Sequence, residues 1–320
     1  AHHELMQLAP TPRTGPKSAS TVLASLFEDL QRRYEAKAMP GQPSPWIDLD
    51  AITHGWQDAE TYLIAARTNT GKSLAGFQSA AENALAGQRT LVFSLEMTAE
   101  AVMRRTVAAQ VNIPHDWLLE PRDDDGEDYW PKVTEAFRSL RSAPLLIDDT
   151  PMLSAAQIAA RAQRAHLQAP IRMIVVDHLH DMALPGKQGE VIERAMALRE
   201  LKALGKLLNC PMIVLAQLNR GSVTEKRKPS LADLRGSGGI EEVADVVLIL
   251  HAPEDQPTLI EVIVAKGRDI RTGQAINLRA RKDFMRFDNW SGELPEPAEA
   301  PVQHRRRGFG GNAYADARAQ

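Results

Sequence analysis

The stretch Ala66-Arg67-Thr68-Asn69-Thr70-Gly71-Lys72-Ser73 constrains this chain more than any other. It follows an apolar run, Tyr62-Leu63-Ile64-Ala65, and precedes an alanine- and leucine-rich segment of helical character. A strand, a tight loop and Gly-Lys-Ser opening a helix form the context in which the G-x-x-x-x-G-K-[ST] pattern binds phosphate. Successive backbone N–H groups of such a loop point inward at phosphate oxygens, and the helix N-terminus adds its dipole. In this frame Lys72 reaches the β- and γ-phosphates of a nucleotide and the Ser73 hydroxyl ligates Mg²⁺. The first glycine of the pattern is replaced by Ala66, which is small but has less backbone freedom. ATP and Mg²⁺ are therefore the expected cofactors.

The rest of the chain provides groups that such a pocket needs. Ile174-Val175-Val176-Asp177 is an apolar strand ending in aspartate, the carboxylate expected to hold the metal and its water. Leu91-Val92-Phe93-Ser94-Leu95 runs out into Glu96. If that strand neighbours the phosphate-loop strand, Glu96 lies at the carboxyl edge of the sheet and is the expected general base. Gln217, at the end of an apolar run over 211–217, is placed to sense a γ-phosphate through its amide. Lys266-Gly267-Arg268 suits a cation delivered to a neighbouring subunit's nucleotide, or equally a solvated hairpin turn. His178-Leu179-His180 invites a zinc reading, but no third ligand stands at a useful spacing.

Taken in order, residues 1–19 are rich in Pro, Gly, Ser and Lys and are expected to form a flexible linker. Over 20–40, Val22, Leu23, Leu26, Phe27, Leu30 and Tyr34 share one helical face, opposite Glu28, Asp29, Arg32 and Arg33. Ser20 or Thr21 is the expected cap and Pro40-Gly41 the stop. That stripe must be covered, either by its own domain or by a neighbouring subunit. Residues 41–290 carry the α/β pattern. Strands are expected at 61–66, 90–95, 144–148, 171–177 and 211–217, with helices at about 72–86, 98–110, 154–168 and 188–208. Thr98 and Ser154 are expected N-caps, Ser154 with Gln157 as a capping box. Further strands are expected at 244–251, 259–266 and 275–281. Such alternation predicts a mostly parallel central sheet covered by helices on both faces. An acidic loop over 119–131, with Asp123-Asp124-Asp125, is expected to be solvated. Residues 291–320, which include Arg305-Arg306-Arg307-Gly308-Phe309-Gly310-Gly311, are expected to be a disordered basic tail.

Composition narrows the setting. The net charge is −3, so the global balance does not itself argue for nucleic acid, although local basic patches do exist. A single cysteine, Cys210, excludes an internal disulfide and fits a reducing cytoplasm. No apolar run reaches membrane-spanning length and no signal peptide is evident.

Several ordered motifs, from about Trp46 to Phe287, resemble one family. They are Ala65-Ala66-Arg67-x-x-x-Gly71-Lys72-Ser73, Phe93-Ser94-Leu95-Glu96-Met97, Asp148-Asp149-Thr150-Pro151, Ile174-Val175-Val176-Asp177, Gln217-Leu218-Asn219-Arg220, Asp233-Leu234-Arg235-x-Ser237-Gly238-x-Ile240-Glu241 and Val264-Ala265-Lys266-x-Arg268. Together they are similar to the C-terminal motor of DnaB-type replicative DNA helicases, hexameric RecA-like ATPases. The resemblance implies a P-loop domain preceded by a linker helix that docks on the adjacent subunit. It implies Glu96 as catalytic base, Asp177 as Mg²⁺ partner, Gln217 as γ-phosphate sensor, and Lys266 and Arg268 acting in trans. Arg220 and the region of Arg235, Ser237 and Gly238 would face single-stranded DNA. A homo-hexamer translocating 5′→3′ on forked DNA, with primase and helicase loader as partners, is the implied assembly. Three features depart from the pattern. Gly236 replaces the usual glutamate, His178-Leu179-His180 replaces the usual tyrosine-leucine-glutamine, and the family's N-terminal helical domain has no counterpart in these residues. Two rivals share the pocket chemistry: a RecA/RadA-type recombinase filament and a non-motor ATP-dependent loader or switch.

Overall fold

The computed structural model describes residues 15–122, 128–219, 227–237 and 239–292, with residues 235–237 described by backbone alone. The linker at 1–14, the three aspartates at 123–125 and the tail beyond 292 lie outside the described residues. The phosphate-loop strand, β1 (Thr61–Ala66), is buried along its whole length. Its side chains alternate between two cores, with Leu63 and Ala65 on one face and Tyr62, Ile64 and Ala66 on the other. A strand apolar on both faces has to sit mid-sheet between two covering layers.

The sheet that forms around it has nine strands. In chain order these are β1, β2 (Thr90–Ser94), β3 (Leu145–Asp148), β4 (Met173–Asp177), β5 (Met212–Gln217), β6 (Val246–His251), β7 (Leu259–Lys266), β8 (Ala275–Arg281) and β9 (Arg286–Asn289). In space they run β3-β2-β4-β5-β1-β6-β7-β8-β9. The six strands from β3 to β6 are parallel, and β6 to β9 continue as an antiparallel meander. All eight expected strands are present. β9 was not anticipated, because it is four residues long and only Phe287 in it is buried.

The helices are α1 (Ala19–Ala36), α2 (Ile47–Thr53), α3 (Lys72–Leu85), α4 (Ala99–Val111), α5 (His115–Leu119), α6 (Trp130–Ser142), α7 (Ala155–Gln168), α8 (Glu190–Leu208) and the single turn α9 (Ile240–Val243). Thr98 caps α4 and the Ser154–Gln157 box caps α7, as their spacing predicts. The cap of α1 is Ser18, whose hydroxyl accepts from Thr21 N at 3.2 Å, and not Ser20 or Thr21. α1 also stops at Lys37, in a left-handed turn, before Pro40 is reached. Helix α6 was missed although its signal is present: Val133, Ala136, Phe137 and Leu140 recur at helical spacing behind Pro131 in the first turn. α1 buries none of its residues; Leu23, Phe27 and Tyr34 are all more than 60% exposed. Covering of its stripe by its own domain is therefore not what happens.

Helix α3 starts at the phosphate-loop lysine, Lys72, and packs closely on the sheet. Gly76 allows this close approach: a Cβ there would lie 2.9 Å from Leu215 Cδ1 and 3.3 Å from Val175 Cγ1. Within the core, the Gln78 amide of α3 clasps the backbone of Phe287, donating to its carbonyl and accepting from its N–H, both at 2.9 Å. The Phe287 ring then lies against Gly71, where a Cβ would meet its Cζ at 2.5 Å. The last strand thus braces the phosphate loop. Gln78→Ala is expected to destabilise the fold by about 1–3 kcal/mol through the unpaired buried groups it leaves, read as a shift in the denaturant midpoint with unchanged slope.

Candidate nucleotide site

Parallel strands bring four of the expected residues to one edge. Ala66 ends β1, Gln217 ends β5 as its register partner, Asp177 ends β4, and Glu96 lies two residues beyond β2. This is the carboxyl edge, where ligands of open α/β sheets bind. The condition set on Glu96 is not met, because β4 and β5 separate β2 from β1. Glu96 reaches the pocket by another route. Ser94 is paired with Asp177, and Leu95 N donates to the Asp177 carbonyl at 2.7 Å, so the β2 exit lies directly over the end of β4.

The loop itself has the required backbone. Asn69 has φ 63° and Gly71 φ 107°, and α3 begins at Lys72. A left-handed residue just before a helix N-terminus turns the N–H groups inward. Lys72 Nζ lies 3.4 Å from Asp177 Oδ1 and 3.7 Å from Glu96 Oε2. One ammonium, itself nearly buried, thus stands between a fully buried carboxylate and a half-exposed one. Asp177 Oδ2 is buried and has no hydrogen-bond partner among the described residues. An orphaned carboxylate oxygen beside a lysine and a helix N-terminus fits a hydrated Mg²⁺, with Ser73 at the second position of α3 as the other ligand. The Gln217 amide donates to Thr68 Oγ1 at 3.1 Å, which holds it over the loop. A cleft of about 740 Å³ opens beside Arg67, Thr68, Asn69 and Thr70 and extends to His251 and Lys228. Its size suits a nucleoside triphosphate.

Lys266 and Arg268 are not brought to this pocket. β7 runs antiparallel to β6, so its end lies at the opposite edge of the sheet, where Lys266 pairs with Val247. Lys266 Nζ donates to the carbonyls of Glu241, Glu242 and Ala244 at 2.7, 3.0 and 2.7 Å. Burial, followed by the nearby Lys202, lowers the Lys266 ammonium below the usual lysine range. Arg268 is two-thirds exposed and lies 3.5 Å from Asp245, which also accepts from Thr61 N at the start of β1. The whole of β1, roughly 17–20 Å at strand rise, separates that edge from the phosphate loop.

Of the expected DNA-facing residues, Arg220 and Gly238 lie outside the described residues, and Arg235 and Ser237 are described only as backbone of a 3₁₀ turn over Leu231–Ser237. Sequence reasoning missed what anchors that turn. Arg227 grips the buried Asp233 through both guanidinium arms at 2.7 and 2.9 Å, and Asn219 N donates to the Asp233 carbonyl. The Asp148-Asp149-Thr150 motif is likewise structural: Arg161 holds Asp148 and Thr150, and Asp149 accepts from Ala99 N at the start of α4. His178 and Asp181 also escaped notice as neighbours of Glu96, since only the β2–β4 pairing reveals that proximity. No helix among the described residues is long and apolar enough to cross a membrane.

Comparison with known proteins agrees with this geometry. The family described as DnaB-like helicase C terminal domain matches residues 41–289. The chain is 29% identical over 318 residues to the replicative DNA helicase DnaB of Geobacillus stearothermophilus, covering 94% of this chain and 68% of that protein. It is 30% identical over 304 residues to the replicative DNA helicase DnaC of Bacillus subtilis strain 168, covering 90% of this chain and 66% of the relative. The chain thus spans about two thirds of the length of these relatives. A solved DnaB-like replicative helicase, described with its interactions with primase, superposes with a TM-score of 0.76 at 25% identity, covering 91% of this chain and 71% of its own. Lys72→Ala is expected to weaken Mg²⁺-ATP binding by roughly 10- to 100-fold through loss of a charge-assisted contact, measured by titration with a fluorescent ATP analogue.

Proposed function

Because this chain belongs to the DnaB-like helicase C-terminal domain family, we propose that it is the ATP-driven motor of a ring-shaped replicative DNA helicase. In this reading, six copies encircle one strand, move 5′→3′ and part the duplex at a fork. The observation that carries the reading is the division of the pocket. Lys72, Glu96, Asp177 and Gln217 share one sheet edge, whereas Arg268 projects from the other, out of reach of its own phosphate loop. If that cation serves a nucleotide at all, the nucleotide belongs to a neighbouring copy, and the exposure of Arg268 supports this reading.

The residues then divide the work. The loop N–H groups and Lys72 bind the triphosphate at the α3 N-terminus. Mg²⁺ held by Ser73 and Asp177 neutralises charge on the β- and γ-phosphates when bound. Glu96 takes a proton from the attacking water, and half-exposure leaves it the freedom to reach that water. Gln217, tied to Thr68, reports whether a γ-phosphate is present and passes the state to the loop that follows β5. That loop, with the turn anchored on Asp233, would grip the DNA backbone through Arg220, Arg235, Ser237 and Gly238. Backbone gripping is independent of sequence and weakens with salt. Arg268 of the adjacent copy supplies the cation for transition-state charge, with Lys266 fixing the strand end that presents it.

The exposed stripe of α1 is the proposed ring contact. A groove of about 810 Å³ between α4 and α6, lined by Met103, Val107, Leu118, Phe137 and Leu140, is apolar enough to receive such a helix from a neighbour. A primase and a loader are proposed partners, the former because the solved relative was described with its primase interactions. The cytoplasm is the proposed setting.

Unwinding of a forked duplex, with ATPase stimulated by single-stranded DNA, tests the function directly. Stimulation without unwinding, or filaments on DNA in place of rings, would contradict it. Glu96→Ala is expected to bind ATP normally and to lose turnover by about 10²- to 10⁴-fold, in a single-turnover hydrolysis assay. Arg268→Ala doped into wild-type rings should depress activity more than in proportion to its fraction, whereas strictly proportional loss would place Arg268 outside the neighbour's pocket. Phe27→Asp, on the bare face of α1, should shift the assembly toward monomer in light scattering while leaving the circular dichroism of the chain unchanged.

A further inference from the structure

A second set of donors lies beside the catalytic carboxylate. His178 follows Asp177, and its side chain is only 8% exposed. Its Nε2 stands 3.8 Å from Glu96 Oε2 and its Nδ1 2.9 Å from Asp181 Oδ2. The Nδ1 contact lacks hydrogen-bond geometry, and that buried atom has no hydrogen-bond partner. One donor atom from each of Glu96, His178 and Asp181 falls within 4.8 Å of the other two. The ligands missing from the His-x-His reading are Asp181, three residues after His178, and Glu96, two residues beyond β2. His180, the other half of the His-x-His pair, is turned away: its Nδ1 faces Gln217 N at 3.5 Å.

One imidazole and two carboxylates form a donor set suited to zinc, cobalt or manganese, whereas Mg²⁺ takes oxygen ligands and keeps its waters. Tetrahedral zinc with bonds of about 2.0–2.1 Å sets its ligands roughly 3.3 Å apart. The 3.8 and 2.9 Å contacts fall on different ring nitrogens, and an ion takes only one of them, so the donors, within 4.8 Å of one another, must draw together; Glu96, half-exposed beyond the end of β2, is the one free to swing in. We propose that Glu96, His178 and Asp181 form a site for a divalent transition-metal ion, distinct from the Mg²⁺ carried with nucleotide, and that its occupation withdraws Glu96 from the water it would activate. The inhibitory clause rests on Glu96 being the general base; the binding clause does not.

Cobalt is the probe. The full chain, free of nucleotide, is titrated with Co²⁺ and followed by visible absorption, alongside Asp181→Asn and His178→Gln, each checked for folding by circular dichroism. The wild type should show ligand-field bands saturating at one added equivalent and bleached by Zn²⁺. Each variant should bind at least tenfold more weakly. Background from other histidines is common to all three proteins. Absent bands, or bands equal in all three, would overturn the site. In a second arm, with Mg²⁺ in excess, Zn²⁺ at its binding concentration should stop wild-type ATP hydrolysis, EDTA equimolar with the added Zn²⁺ should restore it, and Asp181→Asn should need at least tenfold more Zn²⁺ relative to its own metal-free rate. Cobalt binding with undiminished hydrolysis would leave the site standing and overturn the inhibition, while the role of Glu96 as base is decided separately by Glu96→Ala.

Discussion

A single ammonium set between two carboxylates organises this molecule. Lys72 Nζ lies 3.4 Å from Asp177 and 3.7 Å from Glu96. The contact requires three separate pieces of architecture. β1 must end in a loop that turns left-handed at Gly71 so that α3 starts at Lys72. α3 must pack closely over β4 and β5, which Gly76 makes possible by omitting a side chain. β2 must pair with β4 so that its exit places Glu96 within reach. A buried aspartate without an ion-pair partner would be destabilising, and Lys72 is that partner before any nucleotide arrives.

The antiparallel half of the sheet has a different task. From β6 to β9 the phosphate edge receives the end of β6, where His251 lines the cleft, and Phe287, whose ring closes against Gly71 and whose backbone is clasped by Gln78. Their other product is at the far edge. The reversal at β7 delivers Lys266 and Arg268 there, with Lys266 consumed by three carbonyls and Arg268 left largely exposed. In the proposed motor, one sheet would carry the two parts of a shared pocket back to back, and a ring of copies would reunite them.

Residue patterns made most of this legible. The strand–loop–helix around Gly71, the apolar run into Asp177 and the run into Gln217 are local signals, and each sits where its pattern placed it. Caps at Thr98 and Ser154 were local too. What failed was relational. That Glu96 follows a strand separated from β1 by two others and still contacts Lys72 depends on strand order, which no local window contains. The same blindness hid the approach of Asp181 and His178 to Glu96, and the bracing of the phosphate loop by a strand some two hundred residues downstream. The cap of α1 was misplaced by two residues because Ser18, Ser20 and Thr21 are equivalent on propensity, and backbone geometry alone selects Ser18.

The central claim is that the pocket is shared between copies. Electron cryo-microscopy of the assembly with Mg²⁺ and a non-hydrolysable ATP analogue on a DNA fork measures it directly. The account predicts the Arg268 guanidinium of one copy within about 3 Å of a γ-phosphate oxygen held by the next copy's Lys72. An assembly competent in unwinding, with every Arg268 remote from every γ-phosphate, would contradict it.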